Sequence, residues 1–328
     1  MEKIICIGSI TKDIIFPIND GVIMETPDDL ESQIKIAFEL GAKYQLATGR
    51  HESIGGCAAN VACGLARLGV DSHCCTRIGD DQSGDWLRQE LRNNGVATDL
   101  VQRGEKCNSD LSFIIAHIPS EDRIIFSDRA SNEKLEILTG EIKAVAAKWI
   151  FISSLNGTEE ESWDVKLDKI LQLAQVEKMK IIFNPGQKNI KSKPFKVIET
   201  VRQAKILLVN KDEAIEIVEK LGIFNEEELK DERFLAEKLY QQGLQVISMT
   251  DGARGVWGYD GREFLHLEAR KEQVADTLGA GDAFASGFIA AYLKRKKLEE
   301  CLRWGTANSS SVVRSYGAIA GLLKEGEI

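Results

Sequence analysis

Short apolar runs recur along the chain, and segments with helical periodicity follow them. The runs are brief, apolar on both faces and rich in β-branched residues, which is typical of buried strands in a parallel sheet. They are Ile4–Ile7, Trp149–Ile152, Ile181–Phe183, Ile206–Val209 and Val246–Met249. Between them, Val61, Leu65 and Leu68 lie on one face of a predicted helix that ends near Gly69. This alternation predicts an α/β fold: a doubly wound, mostly parallel sheet with helices on both faces.

Two segments interrupt this alternation. Residues 14–49 follow the first strand without a clear helix, and Leu30–Tyr44 within them is compatible with a helix or a strand. Residues 98–128 contain two apparent strands, Leu111–Ala116 and Arg123–Phe126. Structureless loops of this length are uncommon in compact domains, so we predict that both segments belong to a small β-sheet lid. The predicted main domain comprises residues 1–13, 50–97 and 129–328.

The composition is that of an ordinary globular protein with an acidic balance. Of 328 residues, 43% are hydrophobic, and 42 Lys and Arg against 51 Asp and Glu give a net charge of −9. An acidic chain repels nucleic-acid phosphate, and no apolar run approaches the roughly 18 residues of a membrane span. We therefore expect neither nucleic acid nor a membrane as a partner. The seven cysteines include no Cys-x-x-Cys pair and the N-terminal apolar run is too short for a signal peptide, which predicts reduced thiols in a cytoplasmic protein.

Polar residues or glycine follow the predicted strands. They are Gly8, Asn184, Asn210 and Thr250. In open α/β sheets, ligands bind in the crevice beyond the carboxyl ends of the strands. The sequence therefore predicts the functional site at that edge of the sheet.

The strongest motif is Asp276-Thr-Leu-Gly279-Ala280-Gly281-Asp282, which precedes a helix-like segment rich in small residues. Free amides and the positive end of a helix form an anion site, and glycine lets a phosphate approach the backbone. An acid beside that anion binds phosphate poorly, but it suits a base that accepts a proton from an attacking hydroxyl. The alternative is an acidic residue that merely stabilises a helix start. The chain has no Gly-Lys-Ser/Thr sequence, which excludes a P-loop.

Two further glycine motifs stand at predicted turns. Gly55-Gly56-Cys57-Ala58-Ala59-Asn60 would bring backbone close to a polyol, whose hydroxyls Asn60 could bind; the alternative is a small-residue helix start. Thr250-Asp-Gly252-Ala-Arg-Gly255 could wrap a phosphate or a ribose, or form a simple turn. No Gly-x-Gly-x-x-Gly follows the first strand, which argues against a dinucleotide-dependent dehydrogenase.

Together these motifs resemble the signatures of the ribokinase-like, or PfkB, family of carbohydrate and nucleoside kinases. The resemblance extends over essentially the whole chain, with the motifs in the same order. It implies a Rossmann-like α/β domain with a β-sheet lid. The implied reaction is transfer of the γ-phosphate of ATP to a primary hydroxyl.

The resemblance also implies a role for individual residues. It makes Asp282 the base, with the amides of Gly279, Ala280 and Gly281 facing the transferred phosphoryl group. It places the acceptor substrate on Asp13, Gly55, Gly56 and Asn60. It places the nucleotide on Asn210, Glu213, Thr250, Gly252, Gly255 and Asn308. Glu213 would order Mg²⁺ partly through water, and Asp276 belongs to a segment that holds K⁺ in some family members.

The acceptor is predicted less sharply than the reaction. Cys57 and Ala58 stand where ribokinases usually carry Lys and Gly, which argues against strict ribokinase activity. We favour a ribose- or fructose-like sugar over an adenosine-like nucleoside. An alternative of another class is a catalytically silent regulator that binds a sugar or nucleotide, although Asp282 weighs against it. An exposed lid edge would also favour a homodimer.

Overall fold

The computed structural model describes residues 2–26 and 34–328. Its strands are β1 (Lys3–Ile7), β2 (Thr11–Ile18), β3 (Val22–Glu25), β4 (Ile34–Ala37), β5 (His51–Gly55), β6 (Asp71–Gly79), β7 (Val101–Gly104), β8 (Leu111–His117), β9 (Asp122–Asp128), β10 (Trp149–Ile152), β11 (Lys180–Phe183), β12 (Ile206–Asn210), β13 (Val246–Thr250), β14 (Val256–Tyr259) and β15 (Phe264–Leu267). Its helices are α1 (Cys57–Arg67), α2 (Gln82–Asn93), α3 (Thr139–Ala144), α4 (Trp163–Val176), α5 (Gln187–Ser192), α6 (Pro194–Gln203), α7 (Lys211–Val218), α8 (Glu226–Lys230), α9 (Glu232–Tyr240), α10 (Ala280–Leu293) and α11 (Leu298–Val312). None of the helices within these described residues is long and apolar enough to cross a bilayer.

The main sheet has the order β15-β14-β13-β12-β11-β10-β1-β6-β7. Strands from β7 to β13 pair in parallel, and β14 and β15 complete the edge in antiparallel pairing. The alternation along β1 shows why the sheet is covered twice. Ile4 and Cys6 face a core formed with α1, α10 and α11, whereas Ile5 and Ile7 face a second core formed with helices such as α4, α6 and α9. The α/β prediction and its five predicted strands are confirmed.

Strand β6, which lies next to the edge strand β7 in the main sheet, was not among the predicted strands. Its sequence carries Ser72, His73 and Thr76 among apolar residues, so it lacks the continuous apolar run of its neighbours. These polar side chains are nonetheless buried, and Thr76 Oγ1 donates to Asn132 Oδ1 at 3.2 Å. A buried strand can contain polar residues when the fold supplies hydrogen-bond partners, and for Thr76 that partner comes from a distant part of the chain.

The second sheet has the order β5-β2-β8-β9. The predicted strand pair of the lid is confirmed as the antiparallel hairpin of β8 and β9. Strand β5 pairs in this sheet although it lies in the predicted main-domain range 50–97. Conversely, β7 pairs with β6 of the main sheet although it lies in the predicted lid range 98–128. Strands β5 and β7 therefore each pair in the other sheet from the one that the predicted boundaries imply. A short run such as β7 carries no signal in the sequence for the sheet that it joins.

The inner face of this second sheet packs on the main domain. Ile15, Ile114 and Ala116 are buried against Leu278 and Tyr316, which belong to the segments around α10 and α11. The sheet therefore covers the carboxyl edge of the main sheet. A separate two-stranded hairpin joins β3 and β4. Residues 34–37 of the ambiguous Leu30–Tyr44 segment are thus a strand, and residues 30–33 lie outside the described residues.

Candidate active site

Polar residues at the ends of three neighbouring strands line one cavity. Asn184 follows β11, Asn210 ends β12 and Thr250 ends β13, with Asn210 and Thr250 directly paired across the two strands. All three line a cavity of about 160 Å³, together with Glu213 and Asp282. Parallel strands bring their carboxyl ends to the same edge, which is the edge where the sequence predicted the site.

The start of α10 forms the floor of this cavity. Gly279 precedes the helix with φ 75° and ψ 2°, a left-handed conformation that favours glycine, and a Cβ there would lie 2.4 Å from the Cβ of Ala318. At Gly281 no atom of the described residues lies within 4 Å of the position that a Cβ would occupy. The amides of Gly281 and Asp282 lie in the first helical turn, where a helix supplies no carbonyl partner. The amide of Ala280 differs, because it already donates to the carbonyl of Thr277 at 3.3 Å.

Asp282 lies between this helix start and α1. Its Oδ2 accepts a hydrogen bond of 2.8 Å from Asn60 Nδ2, so the second glycine motif and the helix-start motif meet through these two side chains. Burial raises the pKa of the Asp282 carboxyl, and hydrogen bonds from Asn60 and Cys57 oppose that rise. A carboxylate whose pKa is raised towards neutrality is a better proton acceptor than an exposed one. The negative charge of Asp282 in turn holds the pKa of the Cys57 thiol well above its usual range.

Asp13 lies in the middle of β2, opposite Ser53 of β5 and Ser112 of β8. It is only 3% exposed, and burial raises its pKa to about 7, with smaller contributions from the charges of Asp276 and Asp282. Gly55 and Gly56 lie beside Asp13, and each position requires glycine for a different geometric reason. A Cβ at Gly55 would lie 2.0 Å from Asp13 Oδ2, so glycine makes room for the carboxylate.

Gly56 is required by the backbone itself. Its φ is 90°, and a Cβ would lie 2.5 Å from the carbonyl oxygen of Ser9. It immediately precedes α1, on which Asn60 lies one turn later. Asn60 Oδ1 is buried and has no hydrogen-bond partner among the described residues. A buried acceptor without a partner costs free energy, and a substrate hydroxyl would supply the missing donor.

A second cavity, of about 190 Å³, adjoins the first on the other side of α10. Thr250, Gly281 and Phe284 line both cavities, so the two share a wall. Gly252 and Gly255 line the second cavity and have φ angles of 47° and 94°. The structure thus brings the predicted turn at residues 250–255 to the same helix start as Asp282.

Asn308, for which the resemblance implied a contact with the nucleotide, does not line this cavity. It is fully buried, its Nδ2 donates to the carbonyl of Ala283 at 2.9 Å, and its Oδ1 accepts from the amide of Leu323 at 2.9 Å. These bonds join α11 to α10 and to the C-terminal segment. Thr306, Ser309 and Ser310 line the cavity instead. Thr306 and Ser310 are four residues apart on one helix face, and that spacing was the signal in the sequence that could have identified them.

Glu213 and Asn210 form a capping box at the start of α7. Asn210 Oδ1 accepts from the Glu213 amide at 2.8 Å, and Glu213 Oε2 accepts from the Asn210 amide at 3.0 Å. This structural role leaves Glu213 Oε1 outside the capping interaction. Burial raises the pKa of the Glu213 carboxyl. Carboxylate, amide and hydroxyl oxygens from Glu213, Asn184 and Thr250 are the hard donors that Mg²⁺ prefers, so the residues present fit a magnesium ion. The sequence indicated Asn184 only as a polar residue after a strand and gave no sign of a metal-binding role.

Asp276 organises the turn before α10. Its Oδ1 accepts from the amide of Leu278 at 2.9 Å and its Oδ2 from the amide of Gly317 at 3.3 Å. The carboxylate therefore joins the turn before α10 to the segment around Gly317. The Asp276 side chain contacts backbone amides. Binding of K⁺ by this segment stays a prediction.

The comparison with protein families decides the class. The family model described as pfkB family carbohydrate kinase matches residues 36–325. The chain belongs to the pfkB family. The recognition made from the glycine motifs and the assignment as a kinase are confirmed, and this pfkB member is a sugar or nucleoside kinase.

Relatives of this pfkB kinase include sugar and nucleoside kinases. An uncharacterized sugar kinase of Archaeoglobus fulgidus is 28% identical over 259 residues, covering 79% of this chain and 98% of the relative. Cytidine kinase of Thermococcus kodakarensis is 30% identical over 270 residues, covering 80% and 88%. The structure of Burkholderia thailandensis nucleoside kinase in complex with inosine has a TM-score of 0.76 at 18% identity, covering 99% and 95%. At that identity the likeness shows the fold, and the ribokinase-like α/β fold with a separate small sheet is confirmed.

Proposed function

We propose that this protein is an ATP-dependent phosphotransferase that phosphorylates a primary hydroxyl of a small sugar. The observation that carries the proposal is the position of Asp282. Its carboxylate lies in the first turn of α10, at the cavity formed by the strand ends, and is hydrogen-bonded to Asn60 of the second glycine motif. A base is thereby held between an anion-binding helix start and a group suited to a polyol.

The acceptor would bind between the lid and α1. The Asp13 carboxylate accepts hydrogen bonds from two hydroxyls of the acceptor, since an ionised carboxylate is a hydrogen-bond acceptor only. Gly55 and Gly56 allow the sugar to approach the backbone, and Asn60 Oδ1 accepts a hydrogen bond from a further hydroxyl. These contacts direct the primary hydroxyl towards Asp282.

The chemical step would then be an in-line displacement. The acceptor oxygen forms a bond to the γ-phosphorus while the bond from that phosphorus to the β–γ bridging oxygen breaks, and the hydroxyl proton passes to Asp282. Negative charge on the transferred group faces the amides of residues 279–281, with Ala280 having to give up its bond to Thr277. Positioned donors of this kind contribute on the order of 3 kcal/mol each to the transition state. Closure of the lid excludes water and limits wasteful hydrolysis of ATP.

The nucleotide would occupy the two adjoining cavities. Thr250, Gly252 and Gly255 wrap its phosphates and ribose, and Asn210 and Glu213 lie at the phosphate end. Mg²⁺ would be held by Glu213, partly through water, and when bound it neutralises phosphate charge. The fit rests on the oxygen donors at the strand ends and on the open space above Gly281.

The packing of the lid favours a sugar over a nucleoside. Next to Asp13 the inner face of the lid is apolar, and Ile15 and Ile114 are already buried against Leu278 and Tyr316. This packing leaves the polar part of the face, around Asp13 and Ser112, for a small acceptor. A nucleoside is the second candidate because a cytidine kinase is among the relatives.

A panel of acceptors tests this proposal. ADP formation from ATP–Mg²⁺ should be fastest with ribose or fructose and much slower with adenosine or cytidine. The Asp282→Asn protein, purified identically, controls for contaminating kinases. A nucleoside preferred over both sugars would support the second candidate. Thermal stabilisation by ATP–Mg²⁺ without turnover on any acceptor would instead favour a silent regulator.

We also propose a homodimer formed through the lid. Phe113 and Phe126 pair across β8 and β9 and are 43% and 57% exposed, and Phe16 stacks on Phe113 with ring centroids 5.9 Å apart. Exposed apolar patches of this kind mark interaction surfaces. Analytical ultracentrifugation should show a dimer that Phe113→Glu dissociates, while Val176→Glu on α4, at a 68% exposed side chain, has no effect. A wild-type monomer at micromolar concentration would contradict the proposal.

A further inference from the structure

Arg123 connects the lid to the motif that forms the anion-binding turn. It lies on β9, opposite Ala116 of β8, and its side chain is 26% exposed. Its Nη1 donates to the hydroxyl of Thr277 and lies 3.9 Å from Asp276 Oδ1. Asp276 and Thr277 are the first two residues of the motif that ends in Asp282, so a lid side chain contacts the main domain directly at that motif.

The carboxylate that Arg123 approaches controls the shape of the turn. Asp276 accepts the amides of Leu278 and Gly317, and only one residue separates Leu278 from the catalytic helix. Asp276 is 7% exposed. A buried carboxylate without a compensating cation is costly, so the charge of Arg123 favours the arrangement in which the lid is closed and the turn is formed.

The surroundings show that Arg123 spans a gap at this end of the lid. A cavity of about 530 Å³ lies between the lid end near His117 and residues 273–276, and Arg123 and Asp276 both line it. Arg123 Nε is buried and has no hydrogen-bond partner among the described residues. Such a donor carries a desolvation penalty. A buried donor without a partner contributes little to the free energy of folding, so stability alone does not explain the position of the Arg123 side chain.

We propose that Arg123 is a positioning residue that couples closure of the lid over the acceptor to the geometry of the anion-binding turn. The inference rests on the proposed kinase reaction. Asp13 on β2 and Arg123 on β9 belong to one sheet, joined through β8. An acceptor bound at Asp13 therefore holds the sheet in this position and keeps the guanidinium at Thr277 and Asp276, which stabilises the turn that receives the phosphoryl group.

This coupling has a measurable consequence for binding. If the lid stabilises the turn through Arg123, acceptor and nucleotide bind more tightly together than separately, and the coupling is reciprocal. The affinity for a non-hydrolysable ATP analogue with Mg²⁺ should rise about tenfold when the acceptor is present, that is, the unphosphorylated sugar that the panel identifies as the substrate. Arg123→Gln should reduce that factor to about one, within the error of the coupling measurement. Its affinity for the analogue alone should change by less than this coupling factor.

The matched control is Arg50→Gln. Arg50 precedes β5, lies 3.3 Å from Glu52 and is largely exposed, and none of its described contacts involves the motif. It should keep the wild-type coupling factor, and Arg123→Lys should restore part of it. Thr277→Val should lower the factor, and combining it with Arg123→Gln should add little, because both changes remove the same contact. Wild-type coupling in Arg123→Gln would overturn the proposal.

A second measurement does not depend on the acceptor. In the full-length protein without ligands, hydrogen exchange at residues 277–281 should be faster in Arg123→Gln than in wild type or Arg50→Gln. Unchanged exchange there would overturn the role of Arg123. A wild-type protein that phosphorylates no acceptor would instead overturn the proposed reaction, so the two failures are distinguishable.

Discussion

Asp282→Asn should lower kcat by about a thousandfold, within the range that general-base catalysis contributes. Asn retains the shape of the side chain and an oxygen that can accept from Asn60, so the contact between α1 and α10 survives. It cannot take the proton of the acceptor hydroxyl. The affinity for ATP–Mg²⁺ should remain near the wild-type value. Acceptor-dependent ADP formation measures the first effect, and titration with a non-hydrolysable ATP analogue measures the second.

The pH dependence provides a second signature of the same residue. Burial raises the pKa of the Asp282 carboxyl, and only the deprotonated form can act as a base. Wild-type kcat should therefore fall as the pH is lowered through this pKa, and the remaining activity of Asp282→Asn should lack that fall. Asp168→Asn, at an exposed acid on α4 that pairs with Lys196, is the matched control and should not change kcat. Retention of most of the kcat in Asp282→Asn would refute its role as the base.

Asp13→Asn should have the second largest effect, on the acceptor. Hydrogen bonds to a charged group are worth at least about 1.5 kcal/mol each. Losing two at this lower value, about 3 kcal/mol in total, corresponds to a fall of roughly 10²-fold in kcat/KM for the acceptor. The KM for ATP should change little, because Asp13 lies on the lid side of the site. Since the pKa of Asp13 is about 7, wild-type kcat/KM for the acceptor should rise with pH through neutrality. Initial rates between pH 6 and 8 check both statements.

The same substitution should stabilise the protein at alkaline pH. The folded-state pKa of Asp13 is raised from the ordinary 3.8 to about 7, so between these values the folded state binds more protons than the unfolded state. The free energy of unfolding therefore falls as pH rises through this window. Asn carries no such penalty, so Asp13→Asn should gain on the order of 4 kcal/mol at pH 8 and almost nothing near pH 4. Asp128→Asn at the exposed end of β9 should show neither effect, and an Asp13→Asn protein less stable than wild type at pH 8 would contradict the account.

The parts of the site that sequence could predict are those with a local physical cause. Glycine at position 279 has a left-handed backbone, and glycine at 56 avoids the Ser9 carbonyl. Such a backbone requirement can be met only by glycine at one fixed position, so the glycine can be recognised in the sequence without a structure. The same holds for buried strands of uniform apolar character, such as β1 and β10.

The parts that sequence did not show depend on distant contacts. Strand β6 is buried although it is partly polar, and its Thr76 finds a hydrogen-bond partner in Asn132, far away in the chain. Asn308 appeared suited to a ligand, but its hydrogen bonds are used between helices. The contact of Arg123 with Thr277 joins residues 154 positions apart. No periodicity or spacing reports such a contact, because it exists only once the lid sheet lies over α10.

The most direct test of the central claim is a crystal structure of the protein with its acceptor, Mg²⁺ and a non-hydrolysable ATP analogue. The decisive measurement is the distance from the acceptor's primary hydroxyl oxygen to the nearer carboxylate oxygen of Asp282. We expect this distance to be within hydrogen-bond reach, about 2.6–3.2 Å, with the γ-phosphate at the start of α10. A primary hydroxyl beyond that reach, or an Asp282 carboxylate turned into solvent, would contradict it.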